Sequence, residues 1–125
     1  MKVSREQLKT ILLNNVCEIR FVRRRPLINA PPTRRMMATL SYTLLNSTNG
    51  RLTLNFRPTI RPPRFNPAQK NLLTVWDIFM QDYRNVNCDD VEVVATIPAN
   101  EKFWEYFANV LQKMTPSEKI AFQNK

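Results

Sequence analysis

Residues 72–94 read LLTVWDIFMQDYRNVNCDDVEVV, and how this stretch divides decides the fold. Apolar and β-branched residues dominate it, interrupted at Met80–Asp82 and again at Asn87–Asp90, the pattern of three short consecutive antiparallel strands. In the first, Leu72–Phe79, Leu73, Val75 and Asp77 point one way and Leu72, Thr74, Trp76 and Ile78 the other. Both faces carry apolar groups, so this strand is expected to be central. Met80-Gln81-Asp82 reads as a hairpin loop, Tyr83–Asn87 as the returning strand and Asp89-Asp90 as a turn. Val91–Ile97 is then a last strand, closed by Pro98.

Working outward toward the N-terminus, Ser4 and Gln7 have the spacing of a capping box, and Val3 with Leu8 that of a hydrophobic staple. Leu8, Ile11 and Leu12 continue as one apolar stripe, which predicts a helix over about 5–14 ended by Asn14-Asn15. From Val16 the period becomes two, with Cys17, Ile19 and Phe21 on one side and Glu18, Arg20 and Val22 on the other. Arg23-Arg24-Arg25-Pro26 to Pro31-Pro32 cannot continue that strand, because proline has no donor for a ladder. A second strand over Arg35–Tyr42 places Met36, Ala38, Leu40 and Tyr42 inward. Asn49-Gly50, holding the chain's one glycine, signals a tight turn, so Leu44–Phe56 reads as an excursion hairpin with Leu52, Leu54 and Phe56 alternating. RPTIRPPRFNPAQK, residues 57–70, holds four prolines and four cations with little to bury, and reads as an extended loop near polyproline II geometry.

Toward the C-terminus, Asn100 caps a helix over about 101–113 whose core stripe is Phe103, Phe107, Val110, Leu111 and Met114. Thr115-Pro116-Ser117-Glu118 is a second capping box with proline at its first helical position, starting a terminal helix. Five or more short strands with helices only at the ends predict a mainly β fold: a small barrel over about 16–97, with an insert at about 44–71 and a helical extension at 100–124. At 125 residues, one domain accounts for the whole chain.

Composition limits the chemistry. There is no histidine, which removes the Ser-His-Asp and Cys-His nucleophile systems, and two cysteines are too few for a structural zinc site. With one glycine there is no phosphate-cradling loop. No enzymatic activity, metal or cofactor is expected. Cys17 and Cys88 read as buried free thiols, since the chain is large and apolar enough not to need a disulfide. No apolar run approaches the roughly 18 residues of a membrane span, and MKVSREQLKTILL carries charges where a signal peptide is apolar. A soluble intracellular protein is expected.

The formal net charge is +9, and its distribution says more than its total. Between Ile19 and Trp76 there is no Asp or Glu, while Arg20, Arg23, Arg24, Arg25, Arg34, Arg35, Arg51, Arg57, Arg61, Arg64 and Lys70 all fall there. Outside that segment acids outnumber cations by two, so one stretch supplies the entire basic character. Ten of its eleven cations are arginine, which forks two hydrogen bonds onto a phosphate or carboxylate and stacks on bases and rings. An anionic partner follows.

The order VCEIRFVRR, RRMMATLSY, LLTVWDIFMQDYRNVNCDDVEVV resembles a family of small bacteriophage-encoded proteins with an Sm-like, SH3-type β-barrel, related to the WYL domain of bacterial regulators. LTVWD, the Tyr83-Arg84 pair and the valine-rich last strand carry the resemblance most specifically. It spans roughly residues 8–97, and the insert at Leu44–Asn71 and the C-terminal helices depart from it. The resemblance implies a phage origin, residence in the host cytoplasm and no enzymatic activity. Rings formed through exposed strand edges are open to such barrels, which makes a homo-oligomer an option.

Two readings of the partner stand side by side. Small barrels bind single strands and RNA with a cationic groove and aromatic platforms. On this reading Arg20, Arg23, Arg24, Arg25, Arg34 and Arg35 form the core of a nucleic-acid (DNA or RNA) site of little sequence specificity, extended by Arg57, Arg61, Arg64 and Lys70 of the proline-rich loop. Arg84 either joins them or pairs with Asp77 or Asp82 across its hairpin. The proline-rich loop reads either as an arm along a phosphate backbone or as a charged linker. Alternatively, the same face grips an acidic host protein such as a polymerase or nuclease, or the chain is a virion component. Trp76 and Asp77 read as framework, a buried indole and a turn cap, and Asp89, Asp90 and Glu92 as a solvated turn instead of a metal site.

Overall fold

The structure, a computed structural model, describes residues 1–23, 25, 28–58 and 67–124. Helix α1 (Arg5–Asn14) forms where the capping box places it, with Ser4 and Gln7 each accepting a hydrogen bond from the other's backbone N–H. Strand β1 (Lys2–Val3) precedes it. Strands β2 (Asn15–Val22), β3 (Thr33–Thr39), β4 (Leu72–Asp77), β5 (Asp82–Asn87) and β6 (Val91–Pro98) complete one antiparallel sheet in the order β1-β6-β2-β3-β4-β5. It curls into a half-barrel.

The stretch at 72–94 does make three strands, but only the first two are neighbours. β4 and β5 form a hairpin from Leu72↔Asn87 to Asp77↔Asp82, whereas β6 pairs with β2 and, at its start, with β1. In a flat sheet β5 would lie four strand spacings from β6, about 19 Å. The link through Cys88–Asp90 spans at most about 14 Å from Asn87 to Val91. The short turn therefore requires the sheet to curl. The sides meet where the Asn87 Nδ2 donates to the Val22 carbonyl at 3.2 Å.

Period-two strands in a curled sheet produce two cores. On the inner face, Leu8 and Leu12 of α1 meet Cys17, Ile19, Met36, Leu73, Val75, Val86 and Val91. On the outer face, Val16, Met37, Trp76 and Ile78 pack against helices α2 (Tyr42–Leu45), α3 (Thr48–Thr53) and α4 (Glu101–Asn109), with Phe103 fully buried. Helix α5 (Pro116–Gln123) starts at the expected capping box. Both cysteines are buried free thiols. Burial pushes Cys17 above its ordinary value and Cys88 up to about 11. No helix among the described residues is long and apolar enough to cross a membrane.

Several expectations are corrected. The second strand ends at Thr39, and Tyr42, expected inward, begins α2 and is 59% exposed. The hairpin at 44–56 is instead the pair α2 and α3. Ser41 Oγ accepts from Leu44 N and Ser47 Oγ from Gly50 N, so two serine caps outweigh the apolar alternation. Helices are thus not confined to the ends, and Leu52 lies 79% exposed. The first strand of the 72–94 stretch stops at Asp77, because Ile78–Gln81 forms the turn with Gln81 at φ 54°. Helix α4 ends at Asn109 and Val110, expected in its core stripe, is 42% exposed, whereas Phe107, Leu111 and Met114 do pack on the outer core. Of the proline-rich loop, Pro67–Lys70 is a 3-10 turn, while 59–66 lie outside the described residues.

Candidate anion-binding surface

The acid-free segment is not acid-free in space. Cross-strand register sets Arg20 beside Glu92, with Nη1 3.7 Å from the carboxylate. Arg35 Nη2 lies 2.5 Å from Glu18, the last acid before the segment. Arg34 Nη2 donates to Asp77 at 2.7 Å, and Arg84 Nη1 to Asp82 at 3.0 Å. The three pairs of Arg20, Arg34 and Arg35 join a cation to an acid that sequence distance hides, 43 residues for Arg34 and Asp77. Arg84 thus takes its hairpin partner, the neighbouring Asp82.

Asp77 is the most loaded acid. Its carboxylate also accepts from Phe79 N at 3.0 Å and Met80 N at 3.1 Å, which makes it the cap of the β4–β5 turn. Burial raises its pKa, opposed by those bonds and by Arg34, and burial likewise lowers that of Arg34, with Arg23 and Arg84 adding like charge. Asp82, in contact with solvent, is held below the ordinary carboxylate range by Arg84 and its own backbone bond, with Arg57 contributing at longer range. Trp76 is framework: its ring meets Phe56 at 5.1 Å and Tyr83 at 5.0 Å, edge to face.

The other expected site residues divide as follows. Arg23 extends the β2–β3 ladder through its N–H to the Pro32 carbonyl at 2.8 Å. Among the described residues its guanidinium bonds neutral oxygens, the Pro31 carbonyl and Asn124 Oδ1, each at 3.1 Å. Arg25, Arg57 and Lys70 are exposed. Arg24, Arg61 and Arg64 lie outside the described residues. The structure thus brings Arg23 and Arg84 into electrostatic range of Arg34, which pairs with Asp77, and places Arg20 and Arg35 in separate pairs. Among the described residues no three potential metal ligands come together.

One constellation had no sequence signal. The Phe122 ring of α5 lies 4.8 Å from the Arg35 guanidinium carbon and 5.0 Å from the Phe79 ring, at 78°. These three residues come from β3, the β4–β5 turn and the last helix, and no spacing connects them.

Fold and site together define an antiparallel half-barrel whose strand arginines are internally paired and whose β2–β3 turn keeps cations that have no carboxylate partner among the described residues. Comparison with protein-family models, curated proteins and solved structures finds no match.

Proposed function

We propose that this chain is a basic small-barrel protein that binds nucleic acid with little sequence specificity and catalyses no reaction. The observation that carries the reading is the charge left after internal pairing. Among the described residues, Arg23 and Arg25 of the β2–β3 turn take part in no ion pair, and Arg24 lies between them. A guanidinium cluster on a hairpin end is suited to a phosphate backbone. The strand order, in which β6 returns beside β2, suits an SH3-type or Sm-like barrel, and a phage origin with residence in a host cytoplasm is proposed from the sequence resemblance alone.

The test is fluorescence anisotropy with single- and double-stranded oligonucleotides at two salt concentrations. Binding is expected to weaken steeply with salt, and Arg23→Ala/Arg25→Ala to flatten the single-strand slope by about 0.7 for each phosphate no longer neutralised. Absence of binding at low salt eliminates the reading. A second reading, capture of an acidic host protein, draws on Ile28 at the tip of the same turn, which is 92% exposed and offers an apolar group beside the cations. A partner that stays bound through nuclease treatment of a host lysate would favour it.

A further inference from the structure

The last helix is held differently from the rest of the outer layer. α4 buries Phe103 completely, whereas α5 has no buried residue and exposes Ile120. Its attachments are few and specific. The Arg35 guanidinium lies over the Phe122 ring, the Phe79 ring meets it edge to face, Lys119 Nζ is 5.9 Å from the Phe79 centroid, and Asn124 accepts from Arg23.

Once α5 leaves, the Arg35 guanidinium, paired to Glu18, and the Phe79 ring remain, and Arg23 loses its bond to Asn124. A guanidinium over the face of a flat aromatic group, with a second ring against it, is a set of side chains that suits an unpaired base. The slot is preorganised, because Glu18 holds the Arg35 guanidinium and Arg35 lies on a paired strand. We infer that the Arg35–Phe79 slot is a base-binding site for single-stranded nucleic acid and that Phe122 of α5 occupies it in the free protein. The strand's base displaces the Phe122 ring, and its phosphates meet Arg23, freed from Asn124. This rests on the nucleic-acid reading above and adds the base as ligand and α5 as its competitor.

Two measurements on the full-length chain test it. The first is anisotropy titration with an oligo(dT) of about 12 nucleotides, comparing the unmodified protein with Phe122→Ala and with Phe79→Ala/Phe122→Ala. Vacating the slot is expected to raise affinity about tenfold, and removing the Phe79 ring as well to cancel the gain. The second is hydrogen exchange on the unmodified protein, in which oligo(dT) is expected to speed exchange over 116–124 and slow it over 33–37. Oligo(dT) bound with protection of 116–124 unchanged or increased overturns the inference while leaving the nucleic-acid reading intact. So does Phe122→Ala affinity equal to or below that of the unmodified protein. Binding by Phe122→Ala alone supports it. No binding by any of the three proteins at low salt overturns both. Near-ultraviolet circular dichroism from the buried Trp76 checks that each variant is folded.

Discussion

Gly50 offers a test in which two physical effects predict opposite signs. It lies within α3 and its φ is not positive, so no left-handed backbone demands glycine there. The demand is close approach: a Cβ at this position would lie 2.3 Å from the carbonyl oxygens of both Leu44 and Leu45, where ordinary contact begins at 3.4 Å. Both atoms are backbone, so Gly50→Ala has to drive α3 from α2 by about 1 Å. α3 leads directly into Leu54 and Phe56, which are buried against the outer core with Trp76. Helix propensity alone makes alanine the better residue by about 1 kcal/mol. Overpacking with displacement of a packed element costs about 1–3 kcal/mol, and the loosened core adds to it. A net loss of about 2 kcal/mol is expected. Urea unfolding followed by Trp fluorescence would show a lower midpoint at unchanged slope. A Gly50→Ala protein as stable as the original, or more so, refutes the close packing of α2 on α3.

Three further outcomes are expected. Asp77→Asn keeps an oxygen for the turn N–H groups but leaves the Arg34 guanidinium, its side chain 16% exposed, without an anion; it should lose about 3 kcal/mol. Adding Arg34→Met should recover at least about 1 kcal/mol of that loss in a double-mutant cycle, and strict additivity would show the pair is uncoupled. Because burial raises the Cys88 pKa from 9.0 to about 11, the folded state retains a proton that the unfolded chain releases. Its contribution is therefore complete below pH 9 and lost as pH rises through 11. Denaturation midpoints across that window should fall more gently in Cys88→Ala, and identical slopes would contradict this. Ser4→Ala removes one half of the α1 capping box and should lower global stability by about 1 kcal/mol, measurable as a shift in thermal midpoint.

The capping boxes at Ser4 and Thr115, the half-buried β2 and the buried thiols were all legible before folding, because each is written in residues within a few positions of one another. The strands at 72–94 were legible as elements and the first two also as a hairpin, but the partner of the third was not, since nothing in DDVEVV records that β6 crosses to β2. The 44–56 region misled because apolar alternation and an Asn-Gly pair imitate a hairpin, while the deciding bonds were the serine caps and the space that only a glycine leaves between two helices. The candidate site was legible in residue type and not in availability. Arg20 and Arg35 were correctly placed on strands and Arg34 just before one, where β3 in fact begins at Thr33, yet each meets an acid from outside the acid-free segment.

The sequence by itself determined where helices begin, which residues alternate into strands, that both thiols are buried and that one segment carries the whole charge excess. These depend on local spacing and on counts. Only the tertiary structure decided which strands pair, which arginines are neutralised and which ring fills the Arg35–Phe79 slot. The physical reason is register: a curled antiparallel sheet sets side by side residues tens of positions apart, and charge pairing follows distance in space and not along the chain.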